Sequence, residues 1–233
     1  MDYFYTSPDN ISNTSVRIDG EEFSHLTHVM RKKTGDIIRV IDGMGAAYDV
    51  CLETIARGTA TGKILTMLQH HNEPGIDLTL AVGILKNPSK FDFLVEKITE
   101  LGVKEIIPLL TERTIPSHAK IDRWQKLALA GMKQSGRSYL PIVRELTPLE
   151  QFLQSKPRFD ALFVAHEKAA GSPTHARQSL RSAVVLIGPE GGFSDDEINR
   201  CSQAGFQQLY FGERRLRTET AAIVAATLFT IPS

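Results

Sequence analysis

Cysteine is scarce in this chain of 233 residues: there are two, Cys51 and Cys201. Two isolated cysteines make neither a disulfide framework nor a metal-ligand spacing, so each reads as a small buried hydrophobe in a protein with reduced thiols. An excess of either charge is also missing, with 27 Lys and Arg against 27 Asp and Glu. A zero balance removes chain-wide attraction for a polyanion, so any such site must be local. No apolar run approaches the ~20 residues that span a bilayer, which argues against a membrane protein. The first residues carry no basic stretch followed by an apolar one, so no secretory leader is expected and the expected compartment is the cytoplasm. No clustered acids mark a metal site, and two histidines at i,i+3, His25 and His28, are too few ligands to hold one. No G-x-G-x-x-G follows the first strand of an α/β pattern, and neither G-x-x-x-x-G-K-[ST] nor G-x-S-x-G occurs. These absences argue against a dinucleotide fold, a P-loop and a nucleophile-elbow hydrolase.

What is present divides near residue 72. Residues 1–72 read as β-rich, with strands over 36–41, 47–55 and 60–68 separated by glycine turns, and short strands at that spacing suggest a small barrel. Before them, 21–33 reads as a helix with Phe23, Leu26, Val29 and Met30 on one side. His70-His71-Asn72-Glu73-Pro74-Gly75 is polar and turn-forming, and reads as an exposed linker. From Ile76 strands and helices alternate. Strands are expected over 77–83, 103–110, 140–143, 159–165, 183–187 and 206–210. Helices are expected from Asn87 (N-cap) to Gly102 and over 120–136, 148–153, 174–180, 194–205 and 218–229. Repeated βα units imply a mostly parallel sheet with helices on both faces, whose ligands bind outside the carboxyl ends of the strands.

The most informative stretch is 184–227. An apolar β-branched run ends at Gly188-Pro189-Glu190-Gly191-Gly192, and a helix with a capping box, Ser194 and Glu197, begins directly after it. A second strand leads to Gly212-Glu213-Arg214-Arg215-Leu216-Arg217-Thr218-Glu219-Thr220, and then to a helix apolar almost all round. A bare glycine turn lets a ligand approach backbone groups closely, and arginines so concentrated suit an anion. The two loops leave neighbouring strand ends and are expected to face one another.

These residues resemble the RsmE family, the 16S ribosomal RNA (uridine N3) methyltransferases of the SPOUT superfamily. The resemblance rests on Gly188 to Ser194 with Glu197, and on Gly212 with Leu216-Arg217-Thr218-Glu219-Thr220-Ala221-Ala222. Glu96 to Leu109 with Thr111-Glu112-Arg113, Gln134-Ser135-Gly136-Arg137 with Pro141, and His25-Leu26, Val29 and Arg31 extend it through most of the chain. Ala130-Gly131-Met132-Lys133-Gln134 departs from the family pattern, which has an acid there, so no role for an acid carries over. The resemblance implies a PUA-like RNA-binding β-barrel over 1–72 and a SPOUT methyltransferase domain over 73–233. It further implies a C-terminal trefoil knot, a homodimer, and 16S rRNA in the small ribosomal subunit as substrate.

It also implies S-adenosylmethionine in the knot. One wall would be Ile187, Gly188, Pro189, Glu190, Gly191 and Gly192, and the other Tyr210, Phe211, Gly212, Leu216, Arg217, Thr218, Thr220 and Ala221. Arg217 is expected to hold the target base or its developing charge, and Glu190 and Glu219 are candidate proton acceptors. Arg137 is a candidate contributor to the substrate site across the dimer. Arg31, Arg113, Arg123, Arg214 and Arg215 are expected RNA contacts. Two other readings stay open: another SPOUT activity such as ribose 2′-O methylation, and a non-catalytic RNA-binding assembly factor.

Overall fold

The structure, a computed structural model, describes residues 2–116, 118–155, 158–167, 169 and 180–231. The chain divides into two compact units, one of residues 1–73 with 132–140 and the other of 74–131 with 141–233. Among the described residues no helix is long and apolar enough to cross a membrane.

In the first unit, β1 (Tyr3–Tyr5), β2 (Ser15–Asp19), β3 (Ile37–Ile41), β4 (Ala46–Ala56) and β5 (Thr59–Gln69) form one sheet in the order β1-β3-β4-β5-β2. Only β1 pairs in parallel, with β3. The sequence showed β3, β4 and β5; β1 has only three residues, and β2, with Val16 and Ile18 as its two inward apolar positions, was not expected. Inward-facing Val16, Ile18, Ile38, Val40, Val50 and Leu52 close on Phe4 and Leu26. The helix expected over 21–33 is shorter. After β2 comes α1 (Gly20–Ser24), then a π-helical turn over His25–Val29 in which Met30 N–H donates to His25 O. Arg31 adopts φ 52° and Lys32 N–H reaches back to Leu26 O, a left-handed cap that ends the helix.

The expected linker is also built into this unit. The His71 ring stacks on Tyr3, and its Nε2 lies 3.0 Å from the Tyr3 hydroxyl. Burial and the nearby Arg39 guanidinium hold the His71 imidazole below its ordinary pKa. Glu73 accepts hydrogen bonds from Arg137 and from the backbone N–H groups of Ser138 and Tyr139. Residues 132–140 join the first unit in this way. Cys51 is half-buried rather than a core residue.

The second unit holds β6 (Asp77–Gly83), α2 (Pro88–Glu100), β7 (Glu105–Leu110), α3 (Ile121–Ser135, its last turn assigned to the first unit), β8 (Ile142–Val143), β9 (Thr147–Pro148), α4 (Leu149–Gln154), β10 (Ala161–Ala165), β11 (Ser182–Ile187), α5 (Asp195–Gln203), β12 (Gln207–Leu209) and α6 (Thr218–Thr230). The helix expected over 174–180 lies outside the described residues except for Leu180. The sheet is parallel throughout, in the order β12-β10-β11-β6-β7-β8, with β9 beside β7.

Both faces are covered. Val164, Val184 and Leu186 pack with Phe152 of α4 and Ile198 and Cys201 of α5. Phe163 points the other way, onto Phe229 of α6, with ring centroids 5.3 Å apart. Helix α6 packs against α2, β6 and β11, which explains a helix apolar on nearly every side. Burial pushes the Cys201 thiol up to about 12, so this cysteine packs and does not react. From β6 the chain moves outward to β7, whereas from β11 it moves the opposite way, past β10, to β12. The strand order therefore reverses between β6 and β11, where a parallel sheet opens a crevice at its carboxyl end.

Candidate active site

A cavity of about 510 Å³ opens at that end of the sheet. Its walls are the loops after β7, β10, β11 and β12 together with the first turns of α2, α5 and α6. The glycine turn forms one side. At Gly188 a Cβ would lie 2.9 Å from the backbone carbon of Gly192, so no larger residue fits the fold of this loop. Gly192 has φ 67°, the left-handed region where a side chain is strained. The arginine segment forms the opposite side, and one bond ties the two together: Thr218 Oγ1 donates to Gly188 O at 3.0 Å.

The glycine loop is also held from behind. Glu197 completes the expected capping box, with Oε2 accepting from Ser194 N–H at 2.8 Å. Its Oε1 accepts from Glu112 N–H at 2.8 Å, which fastens the loop after β7 to the same turn. Arg113 Nη1 donates to Gly191 O at 2.8 Å and to Phe193 O at 3.2 Å. Gly83, at the end of β6, sits directly beneath Pro189; a Cβ there would lie 2.5 Å from the Pro189 nitrogen. Gly83→Ala must displace backbone, so we expect it to cost about 1–3 kcal/mol and to lower the melting temperature by several degrees. Calorimetric melting checks this; an unchanged transition would show that the loop yields freely.

Comparison with known proteins gives this cavity a family. An RNA methyltransferase domain model matches residues 71–230, and an RNA methyltransferase PUA domain model matches 18–65. The Ribosomal RNA small subunit methyltransferase E of Synechocystis is 34% identical over 94% of this chain and 74% of its own length. The chain belongs to the ribosomal RNA small subunit methyltransferase E family. The member from Bacillus subtilis is 28% identical over 89% of this chain and 86% of its own. A family member from Neisseria gonorrhoeae, solved bound to S-adenosyl methionine, superposes with a TM-score of 0.87 at 31% identity, covering 97% of this chain and 95% of that one. A putative methyltransferase from Legionella pneumophila, also solved with S-adenosyl methionine, superposes with a TM-score of 0.83 at 27% identity, covering 97% and 96%. The fold is thus that of the family: a parallel α/β unit and an N-terminal PUA-type unit.

All the residues expected to meet the cofactor line the cavity except Tyr210 and Thr220. Arg217, Glu190 and Glu219 line it too. Arg217 is the N-cap of α6 with no side-chain cap bond, and no described residue pairs with its guanidinium. Glu190 is exposed and accepts from Lys86 N–H at 3.1 Å, which ties the loop after β6 to the glycine turn. Glu219 is buried, with Oε1 3.4 Å from Lys90 Nζ.

The expected RNA contacts are placed differently from one another. Arg214 and Arg215 are exposed at the cavity wall, Arg215 lying 3.6 Å from Glu167. Arg113 lines the cavity but spends its Nη1 on loop carbonyls. Arg123 pairs with Asp92 on α2, and Arg31 is an exposed residue of the first unit. Arg137 is not brought to the cavity wall. It is 2% exposed and bound to Glu73 within the first unit. Lys90 and His166 line the cavity without having been expected. The rule that ligands sit beyond strand ends pointed at the loop after β10, and so at His166. No sequence signal pointed to Lys90, which comes from a different βα unit.

Proposed function

We propose that this chain transfers a methyl group from S-adenosylmethionine to N3 of a uridine in the 16S rRNA of the small ribosomal subunit, acting as a cytoplasmic homodimer. The observation that carries the reading is the joining of glycine turn and arginine segment around one cavity through Thr218 and Gly188. The residues present fit the donor. The turn is stripped of side chains where a ligand must approach backbone, and about 510 Å³ lies within the range of small-ligand pockets. The bound donor supplies an electrophilic methyl on a sulfonium, so no metal is required.

The chain's own residues then do three things. The turn from Ile187 to Gly192 and the segment from Phe211 to Ala221 hold the donor through backbone groups. Arg217, free of intramolecular partners among the described residues, holds the uracil and offsets the charge its ring acquires when N3 loses a proton. A carboxylate, Glu190 or Glu219, accepts that proton. Arg214 and Arg215 meet phosphates at the rim, and the PUA-type unit over 1–72 adds RNA contacts. The return of α6 to β6 and α2 after the chain has crossed to β12 supports a threaded, knotted C-terminus. The half-covered Ile223, Val224 and Leu228 of α6 support a dimer surface.

The test is incubation with labelled S-adenosylmethionine and small subunits from cells lacking the activity, followed by nucleoside analysis. Label in N3-methyluridine is expected. Label in a ribose-methylated nucleoside, or none, would refute the proposal.

A further inference from the structure

Four acids line the cavity, and they are not equivalent. Glu167, Glu190 and Asp195 are exposed, whereas Glu219 is 9% exposed. Glu190 is already engaged by the Lys86 N–H. Glu219 Oε1 lies 3.4 Å from Lys90 Nζ, and Oε2 is closed off from solvent with no hydrogen-bond partner among the described residues. A buried carboxylate oxygen left without a donor is costly, and native structures keep such atoms rarely and with a reason.

Lys90 is just as unusual. It stands in the first turn of α2, three residues after the N-cap Asn87, and that turn holds no acid. The positive end of a helix dipole disfavours a cation there. Nothing in α2 itself calls for a lysine; what its ammonium meets is Glu219 on another helix. Two local rules are broken at one contact inside the cavity, and such coincidences gather at functional sites.

We infer that Lys90 is a positioning residue for the methyl transfer, holding Glu219 as the group that takes the N3 proton. The inference rests on the function proposed above and chooses between its two carboxylates. The ammonium beside Oε1 holds the carboxylate at the cavity wall, where the Glu219 side chain serves as the acceptor. The uracil proton passes from N3 to Glu219, and the nitrogen lone pair forms the N–CH₃ bond. The C–S bond breaks, its electron pair remains on sulfur, and Glu219 returns the proton to solvent.

The experiment uses the full chain, labelled S-adenosylmethionine and small ribosomal subunits, with donor binding by calorimetry and melting temperature measured on every variant. Glu219→Gln is expected to lower kcat by about 10²–10⁴-fold, the usual worth of a general base. Lys90→Ala is expected to lower kcat roughly tenfold or more, and Lys90→Arg to restore most of it. Adding Lys90→Ala to Glu219→Gln is expected to change nothing further, because a residue acting through another falls silent when that partner is gone. Donor affinity is expected to stay within about threefold throughout, since neither side chain is assigned to the donor. Wild-type turnover in Lys90→Ala, multiplying effects in the double variant, or loss of donor binding on Lys90→Ala would each overturn the inference. If the unaltered enzyme makes no N3-methyluridine, the proposed function fails first, and that result is distinct from all of these.

Discussion

Arg217→Ala should lower methylation by about 10²–10³-fold, the cost of removing a preorganised positive group from beside a developing anion. The same change should leave the fold intact. Arg217 caps α6 by its backbone alone, with φ −69° and ψ 156° and no side-chain cap bond, so the helix loses no partner. An exposed side chain without an ion pair contributes within about 0.5 kcal/mol to stability. Melting temperature and donor binding should therefore match the parent while the rate collapses. Arg217→Lys should not restore the rate fully, because a point charge does not replace a planar fork of donors. Wild-type turnover in Arg217→Ala would remove this residue from the mechanism.

Glu73→Ala should have the largest effect on stability. The Glu73 carboxylate takes Arg137 Nη2 at 2.7 Å, Arg137 Nε at 3.2 Å, and the backbone N–H groups of Ser138 and Tyr139 at 2.8 Å each. Side-chain exposures of 5% and 2% leave almost no water to replace it. Truncation removes the buried carboxylate from a guanidinium and from two backbone donors at once, and breaking such a pair costs about 3–5 kcal/mol. For a chain of this size that is a drop in melting temperature on the order of 10 °C, read by calorimetry on the full chain. Replacing both partners with apolar residues of similar volume, as in Glu73→Leu with Arg137→Met, should recover the part of the loss due to the guanidinium but not the part due to the Ser138 and Tyr139 N–H groups. A melting curve unchanged by Glu73→Ala would mean that water reaches Arg137.

Arg137 shows what a sequence does not display, the partner that a charge meets within its own chain. Within Gln134-Ser135-Gly136-Arg137 it resembled a substrate-site residue, because a lone arginine after a helix carries no mark of what it meets. Its partner lies 64 residues earlier, in the stretch read as an exposed linker. Arg113 is a similar case: a cation expected at RNA that donates to the carbonyls of Gly191 and Phe193. The helical run expected over 21–33 stops after Val29 because Arg31 takes a left-handed backbone that hydrophobic periodicity does not register.

What the sequence determined by itself is local. Ser194 and Glu197 capped α5, Asn87 and Pro88 started α2, and apolar runs placed β6, β10 and β11, because each depends on neighbours within a few residues. The resemblance of 188–194 and 216–222 to one family reached further and led to the cavity. Only the tertiary structure decided which charges are spent and which are free. Lys90 meets Glu219 from another helix, Arg113 meets the glycine turn and Arg137 meets Glu73, whereas Arg217 meets no described residue. The physical reason is that a charged side chain is defined by its partner, and these partners are brought together by packing of elements far apart in the chain.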